Sequence, residues 1–306
     1  MLPLQIMRRV SLLAAVACIG AAGLASCSEP AGGGSSEIST RHLKSIPCEE
    51  SGSGFAFAPL GLDFGLFGEL YVIDSDNSRI FVLPDSLDGI TLFARCPDEF
   101  SDCQLIDIET GNAAGVYVSE KTAGSILVYD RWGEFVSARE VGEGLTGLGL
   151  GKPEQIYAAM GIAGTIRIVD LSGDSEPIEA VVSSGDGGTY PVDCLTGKLG
   201  NVFVTEAFSE QVLMLSPFGK PRKALVGFDF QSPFGLASYL DRYVLVSDSE
   251  RAVIAVFSAD GGFISSFGEG LLEMPAFIAC RDDGVVCVAD PGSMSIEVFR
   301  IETSTQ

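Results

Sequence analysis

Histidine is almost absent from these 306 residues: there is one, His42, ahead of the repeats that fill most of the chain. Because histidine is the usual base and metal ligand near neutral pH, this argues against a His-based zinc or copper centre, a histidine dyad or a Ser-His-Asp triad. Tryptophan also occurs once, at Trp132, and Lys plus Arg number 19 against 41 Asp plus Glu, a formal charge of −22. So acidic a chain lacks the basic footprint that nucleic-acid binding needs. It suits solubility beside a cell envelope, or a cationic partner. Glycine-rich stretches at 142–151 and 185–188 lack the Lys-Ser/Thr and the strand-to-helix setting of phosphate loops, and read as turns.

What is present is one 16-residue frame written six times without gaps, starting at Pro59, Leu105, Leu145, Pro191, Pro233 and Pro275. The starts are spaced 46, 40, 46, 42 and 42 residues, the period of propeller-type repeats. Apolar residues alternate with period two, as a strand requires. One face carries Leu70, Val116, Ile156, Val202, Val244 and Val286, and two residues on Val72, Val118, Ala158, Val204, Val246 and Val288. Between them, on the other face, stand Tyr71, Tyr117, Tyr157, Phe203, Leu245 and Cys287. A strand apolar on both faces must lie between two neighbouring sheets.

A shorter apolar segment precedes this strand, and a branched aliphatic six residues past the frame (Ile80, Ile126, Ile166, Val212, Ile254, Ile296) opens a third. A fourth follows a turn in most copies, as at Phe135 after Trp132-Gly133. Four antiparallel strands per copy make a blade, so the expected fold is an all-β, six-bladed β-propeller over 39–306. The last copy ends near its third strand. The segment 40–46 has no blade of its own and is expected to supply the missing strand, because an unpaired edge is a liability. The frame closes on Asp74, Glu120, Met160, Glu206, Asp248 and Asp290. Acids that enter a turn usually accept backbone N–H groups, so these read as turn fixtures before they read as a ring of ligands.

The run Leu70-Tyr-Val-Ile-Asp74-Ser-Asp-Asn77-Ser-Arg79-Ile80 resembles the NHL repeat, with looser versions at Val116-Tyr-Val-Ser-Glu120 and Val286-Cys-Val-Ala-Asp290. The resemblance covers about 59–301, and only the first blade carries the Asn77 and Arg79 signature. It implies a propeller. NHL-type lyases use histidine-bound metal, so the resemblance implies no such activity for a chain with one histidine. WD-type and kelch-type blades fit less well.

The N-terminus has Arg8 and Arg9, an apolar run from Val10 to Leu24, then Leu24-Ala25-Ser26-Cys27. It reads as a signal peptide (1–26) ending in a lipobox. Resemblance to bacterial lipoproteins implies cleavage before Cys27 and acylation there; Ser28 favours the outer membrane by the Gram-negative sorting pattern. Residues 27–38 form a flexible tether. Cleavage removes two arginines and no acid, taking the charge from −22 to −24.

Six cysteines remain in a compartment that allows disulfides. Cys96 and Cys103 flank one loop and are expected to pair. Cys280 and Cys287, on the arms of one hairpin, form a second candidate pair, the alternative being that Cys287 fills an aromatic slot. Cys48 and Cys194 have no evident partner.

A Ca²⁺ site needs only oxygens, and Asp107 and Asp193 occupy the frame position held by Gly61, Gly147 and Gly235 elsewhere. They are candidate acids at the channel mouth. Lactonase-like sites pair carboxylates with asparagine, however, and only Asn77, Asn112 and Asn201 exist. No cofactor is expected, with calcium the exception under a lactonase-like reading.

The functional expectation is an envelope-anchored, monomeric module that binds or scaffolds an envelope protein or a small ligand. It would hold the membrane through the Cys27 lipid and would not bind nucleic acid. Its contact surface is placed on the loops 98–104, 183–190 and 227–232, with Tyr190, Phe228, Phe230 and Phe234 as aromatic anchors. The alternative is a Ca-dependent, lactonase-like hydrolase or lyase at the channel.

Overall fold

The computed structural model describes residues 38–303 except 53, 112–114, 153–154, 172–176, 183–188 and 198–199. The segments expected to be signal peptide and tether, Cys27 included, lie outside the described residues apart from Ile38. No helix occurs among those described. The chain forms six sheets of four antiparallel strands; five run in chain order from the inner strand outward, and in the sixth the outermost place is taken by the first strand of the chain.

The first five copies of the frame open on inner strands, Pro59–Phe64, Leu105–Thr110, Leu145–Leu150, Pro191–Thr196 and Pro233–Tyr239. In the sixth the regular strand starts later, at Ile278–Cys280. Near its start every longer inner strand slips register against its neighbour, as between Pro59 and Leu62 or Leu105 and Ile108. Such bulges turn a side chain away from the pleat; here they take in the third frame position in blades one, two, four and five, and fall one residue earlier, at Thr146, in blade three.

Ring closure follows the expectation. The N-terminal strand Ile38–Pro47 is the outermost strand of blade six, pairing antiparallel with Ser295–Thr303. His42 lies opposite Phe299, and its Nε2 is 2.7 Å from Glu297 Oε2. Ser45 and Ser295 also donate to that buried carboxylate, at 2.7 and 2.6 Å. The first and last strands are thus joined by side chains as well as by the ladder.

The apolar core is six layers, one between each pair of blades. Leu70 and Val72 pack with Cys287, Ala289 and Ile296 of blade six, whereas Tyr71 and Ile73 pack with Val116, Val118 and Leu127 of blade two. The two-faced alternation in the frame is this arrangement.

The acids closing the frame are fully buried, and each is occupied. Glu120 accepts the N–H groups of Gln104, Thr122 and Ala123 at 3.0, 2.9 and 2.6 Å. Glu206 takes those of Tyr190, Phe208 and Ser209, Asp248 those of Gln231, Ser232 and Arg251, and Asp290 those of Glu273 and Met274. Asp74 instead binds Asn77 and the Arg79 guanidinium. Each ties a turn to its blade, the structural role the sequence favours. In blade three the backbone substitutes: Gly164 N–H donates to the carbonyl of Met160, and Gly161 N–H to that of Gly144.

Candidate functional site

Frame position three alternates around the channel: Gly61, Asp107, Gly147, Asp193, Gly235, Phe277. Each glycine lies against the backbone of the next blade. A Cβ on Gly61 would stand 2.6 Å from Ile106 O, one on Gly147 2.5 Å from Val192 O, and one on Gly235 2.6 Å from Phe277 Cα. The even blades carry the side chains, which cross forward. Asp107 Oδ2 accepts Leu148 N–H of blade three at 2.7 Å, and Asp193 Oδ2 accepts Leu236 N–H of blade five at 2.8 Å. Their Oδ1 atoms take the N–H of Ile108 and Cys194. Both residues are 3% exposed. This corrects the expectation of acids on an open channel mouth: the bulge turns Asp107 and Asp193 into the wall, where they clamp one blade to the next.

Two acids that the sequence reading passed over join them. Asp63 and Glu109 share frame position five in blades one and two, are half-buried, and face the same channel. Asp63 Oδ2 accepts both the N–H and the hydroxyl of Thr110, at 2.8 and 2.9 Å. Glu109 has no hydrogen-bond donor among the described residues. Burial pushes the Asp63 carboxyl up to about 6 despite the Thr110 bonds. Burial first, with the Asp63 charge in addition, pushes Asp107 up to about 8. Glu109 and Asp193 are likewise held well above the ordinary carboxylate range, by burial and then by their acidic neighbours. Ca²⁺ takes six to eight oxygens. Among the described residues no three Asp, Glu, His or Cys side chains are placed to hold a metal ion, and five carboxylate oxygens here already accept backbone N–H groups.

The expected aromatic contact surface is largely interior. Tyr190 is 8% exposed and its ring lies 5.6 Å from Phe208; Phe230 is 5% exposed and stacks on Phe257 at 5.6 Å. Phe228 packs on Phe230 and Phe263 at 4.9 and 5.2 Å, and Phe234 on Phe277 at 5.2 Å. Burial of Tyr190 and Phe230 corrects their assignment as anchors, whereas Phe228 and Phe234 are half-buried. Of the loop containing Tyr190, residues 183–188 lie outside the described residues.

Cys96 and Cys103 form a disulfide across their loop. Cys280 and Cys287 are free thiols. Cys287 lies opposite Ala279 and Cys280 opposite Val286, so the one-residue offset points the two sulfurs to opposite faces of the sheet. Cys287 fills the core layer toward blade one and Cys280 packs on the layer toward blade five. Burial pushes up the thiols of Cys48, Cys194, Cys280 and Cys287, which makes them poor nucleophiles.

A cleft of about 100 Å³ lies on the face opposite the entering loops, between blades one and two. Tyr71 and Val116 line it beside Phe67, Glu69, Arg131 and Trp132. Phe67 is 65% and Trp132 71% exposed. The Arg131 guanidinium lies 4.4 Å from the Trp132 ring centroid and 5.7 Å from that of Phe67. None of its N–H groups meets a carboxylate or carbonyl of the described residues. The walls are held firmly. Asp130 Oδ1 accepts the N–H groups of Trp132 and Glu134 at 2.8 and 3.0 Å. Gly133, at φ +85, fits where a Cβ would meet Phe93 O. Glu69 accepts Phe67 N–H at 2.9 Å and the Tyr71 hydroxyl at 3.2 Å. Burial and the Glu69 charge push the Tyr71 phenol up to about 12. The sequence carried one signal for this site: the sole tryptophan stands in a turn, where no core needs it.

No protein-family model matches the chain, and no curated protein matches it. Solved structures do. A streptogramin B lyase shares 14% identity with a TM-score of 0.66, covering 87% of this chain and 98% of that one. A structural-genomics protein of unknown function from Bacteroides thetaiotaomicron shares 11%, with a TM-score of 0.67, covering 87% and 76%. A catalytically inactive histidine-to-alanine variant of virginiamycin B lyase from Staphylococcus aureus, with quinupristin, shares 13%, with a TM-score of 0.61, covering 86% and 99%. At such identities the likeness is one of fold: the chain is a six-bladed β-propeller.

Proposed function

We propose that this chain is a lipoprotein, anchored in the bacterial envelope through Cys27 with the outer membrane favoured, whose propeller is a binding or scaffolding module. The observation that carries this reading is the cleft. Two exposed aromatic rings flank an arginine without a polar partner among the described residues, on turns held rigid by their own hydrogen bonds, and neither the fold nor the core needs them there. Rigid aromatic and arginine groups are what binding hot spots are made of. The module works as a monomer, without a cofactor and without nucleic acid, and its partner is an envelope protein.

In-cell crosslinking of the full chain tests this, with palmitate labelling and with Cys27→Ser as control. Expected are acylation that depends on Cys27 and one discrete crosslinked species. A chain that is acylated yet yields no discrete species would count against the binding role.

The second reading is a hydrolase or lyase acting at the channel on a small lactone or sugar. Its support is the fold likeness to streptogramin B lyases. Two observations weigh on it. One of those lyases is inactive when a histidine is replaced, whereas His42 lies on the outermost strand of blade six, bonded to Glu297. The channel carboxylates, as they stand, do not fit Ca²⁺. A melt with EDTA and then calcium separates the readings, since a ligand of the native state alone must raise the melting temperature. A clear rise would favour the enzyme.

A further inference from the structure

Resting on the binding reading, we infer that the cleft between blades one and two receives one apolar side chain, aromatic or branched aliphatic, of a peptide segment that is neutral or basic. Arg131 donates to a carbonyl beside that side chain.

The size of the occupant follows from the volume. A cavity of roughly 150 Å³ admits benzene, so an open cleft of about 100 Å³ holds one ring or isobutyl group with part of it projecting between Phe67 and Trp132. Its body is apolar because Tyr71, Val116 and Leu66 line the cleft, and because Glu69, the acid within it, spends one oxygen on Phe67 N–H and the other on the Tyr71 hydroxyl.

The polar requirement comes from Arg131. Held against two rings, 4.4 Å from that of Trp132 and 5.7 Å from that of Phe67, and without an acceptor among the described residues, the guanidinium presents donors at a lower entropy cost than a freely moving side chain. The complement to that edge is an acceptor next to an apolar group, which every peptide offers as its own carbonyl. The partner's charge follows from the chain: at a formal −22, an acidic segment is repelled at long range and a basic one drawn in.

Trp132 is the only tryptophan, so emission excited at its red edge reports on this cleft alone. The full chain is titrated with N-acetylphenylalaninamide, with N-acetylalaninamide as the probe that lacks a ring. Expected is a saturable change with the first and at least about tenfold weaker binding of the second, the difference a buried ring supplies. Phe67→Ser removes one wall and should abolish saturation, and Arg131→Met, which keeps the length but no donor, should weaken it several-fold. Both positions are exposed turn residues, and an unchanged melting temperature confirms that each variant is folded.

The inference fails if no saturable change appears up to about 50 mM, a generous limit for so few contacting atoms, if both probes bind alike, or if Phe67→Ser binds as the parent does. Binding of N-acetylphenylalanine as the free acid tenfold tighter than the amide would overturn the partner charge assigned here. A discrete envelope crosslink without cleft binding would sink this site and leave the binding module standing; cleft binding without a crosslink would leave this site standing and count against an envelope protein as the partner.

Discussion

Glu109→Gln should stabilise this protein, and increasingly so as pH rises. Glu109 faces Asp63, Asp107 and Asp193 in the channel and receives no hydrogen bond from the described residues, so the amide loses no partner and removes a charge that burial disfavours. With carboxyls raised in the folded state, the native protein holds protons that the unfolded chain sheds above about pH 4. Native proton binding then exceeds unfolded binding, the slope of stability against pH is negative, and the cluster's contribution, complete near pH 4, is lost as pH climbs toward 8. Asp63 sets the scale: from 3.8 to about 6 is about two pH units, or ~3 kcal/mol. Asp63 and Glu109 are only half-buried, and solvent screening lowers the figure to roughly 1–2 kcal/mol. For a domain this size that is about 2–6 °C in Tm. Calorimetric melts of parent and variant at pH 5 and pH 8 would show the variant's advantage absent or small at the lower pH and full at the higher. An advantage equal at both, or a variant less stable at pH 8, would refute the account of the channel as a proton-holding cluster.

Three further outcomes follow from the same geometry. Gly147→Ala places a Cβ 2.5 Å from Val192 O and 2.8 Å from Asp193 Cα, and should cost about 1–3 kcal/mol as overpacking between rigid blades, read by urea unfolding at unchanged m. Removing the Glu120 carboxylate with Glu120→Ala orphans the N–H groups of Gln104, Thr122 and Ala123; a loss of roughly 3 kcal/mol, with faster amide exchange at those three positions, is expected. His42→Ala takes one donor from buried Glu297 at the ring closure and should cost about 1–2 kcal/mol, with exchange accelerated along Ile38–Pro47.

Much of the architecture could be read before any coordinates because its causes are local and repeated. Residues 70–74 alternate within one strand, and the same alternation recurs in five more copies, so a single reading is tested six times. The closing strand was legible for a complementary reason: a final blade short of a strand and an orphan segment at the other end of the chain. Cys96 and Cys103 lie close enough in sequence for their loop alone to bring them together. None of this required knowing what touches what across blades.

What only the tertiary structure decided lies at those contacts. Asp107 and Asp193 read as a polar rim from their frame position, yet a bulge, which side-chain identity does not announce, aims both at the neighbouring blade's backbone. Cys280 and Cys287 read as a facing pair, and register by one residue separates them. Tyr190 and Phe230 look like surface anchors until the neighbouring rings are in place. The cleft joins Phe67 to Trp132 from turns in two blades, and that its arginine has no polar partner among the described residues is visible only once Glu69 and Asp130 are seen to be engaged by their own turns. The sequence by itself determined the repeated strand, because alternation is a property of a few consecutive residues; the tertiary structure decided which side chains became wall, clamp or exposed cleft, because those roles are set by distances between blades that the chain brings together only on folding.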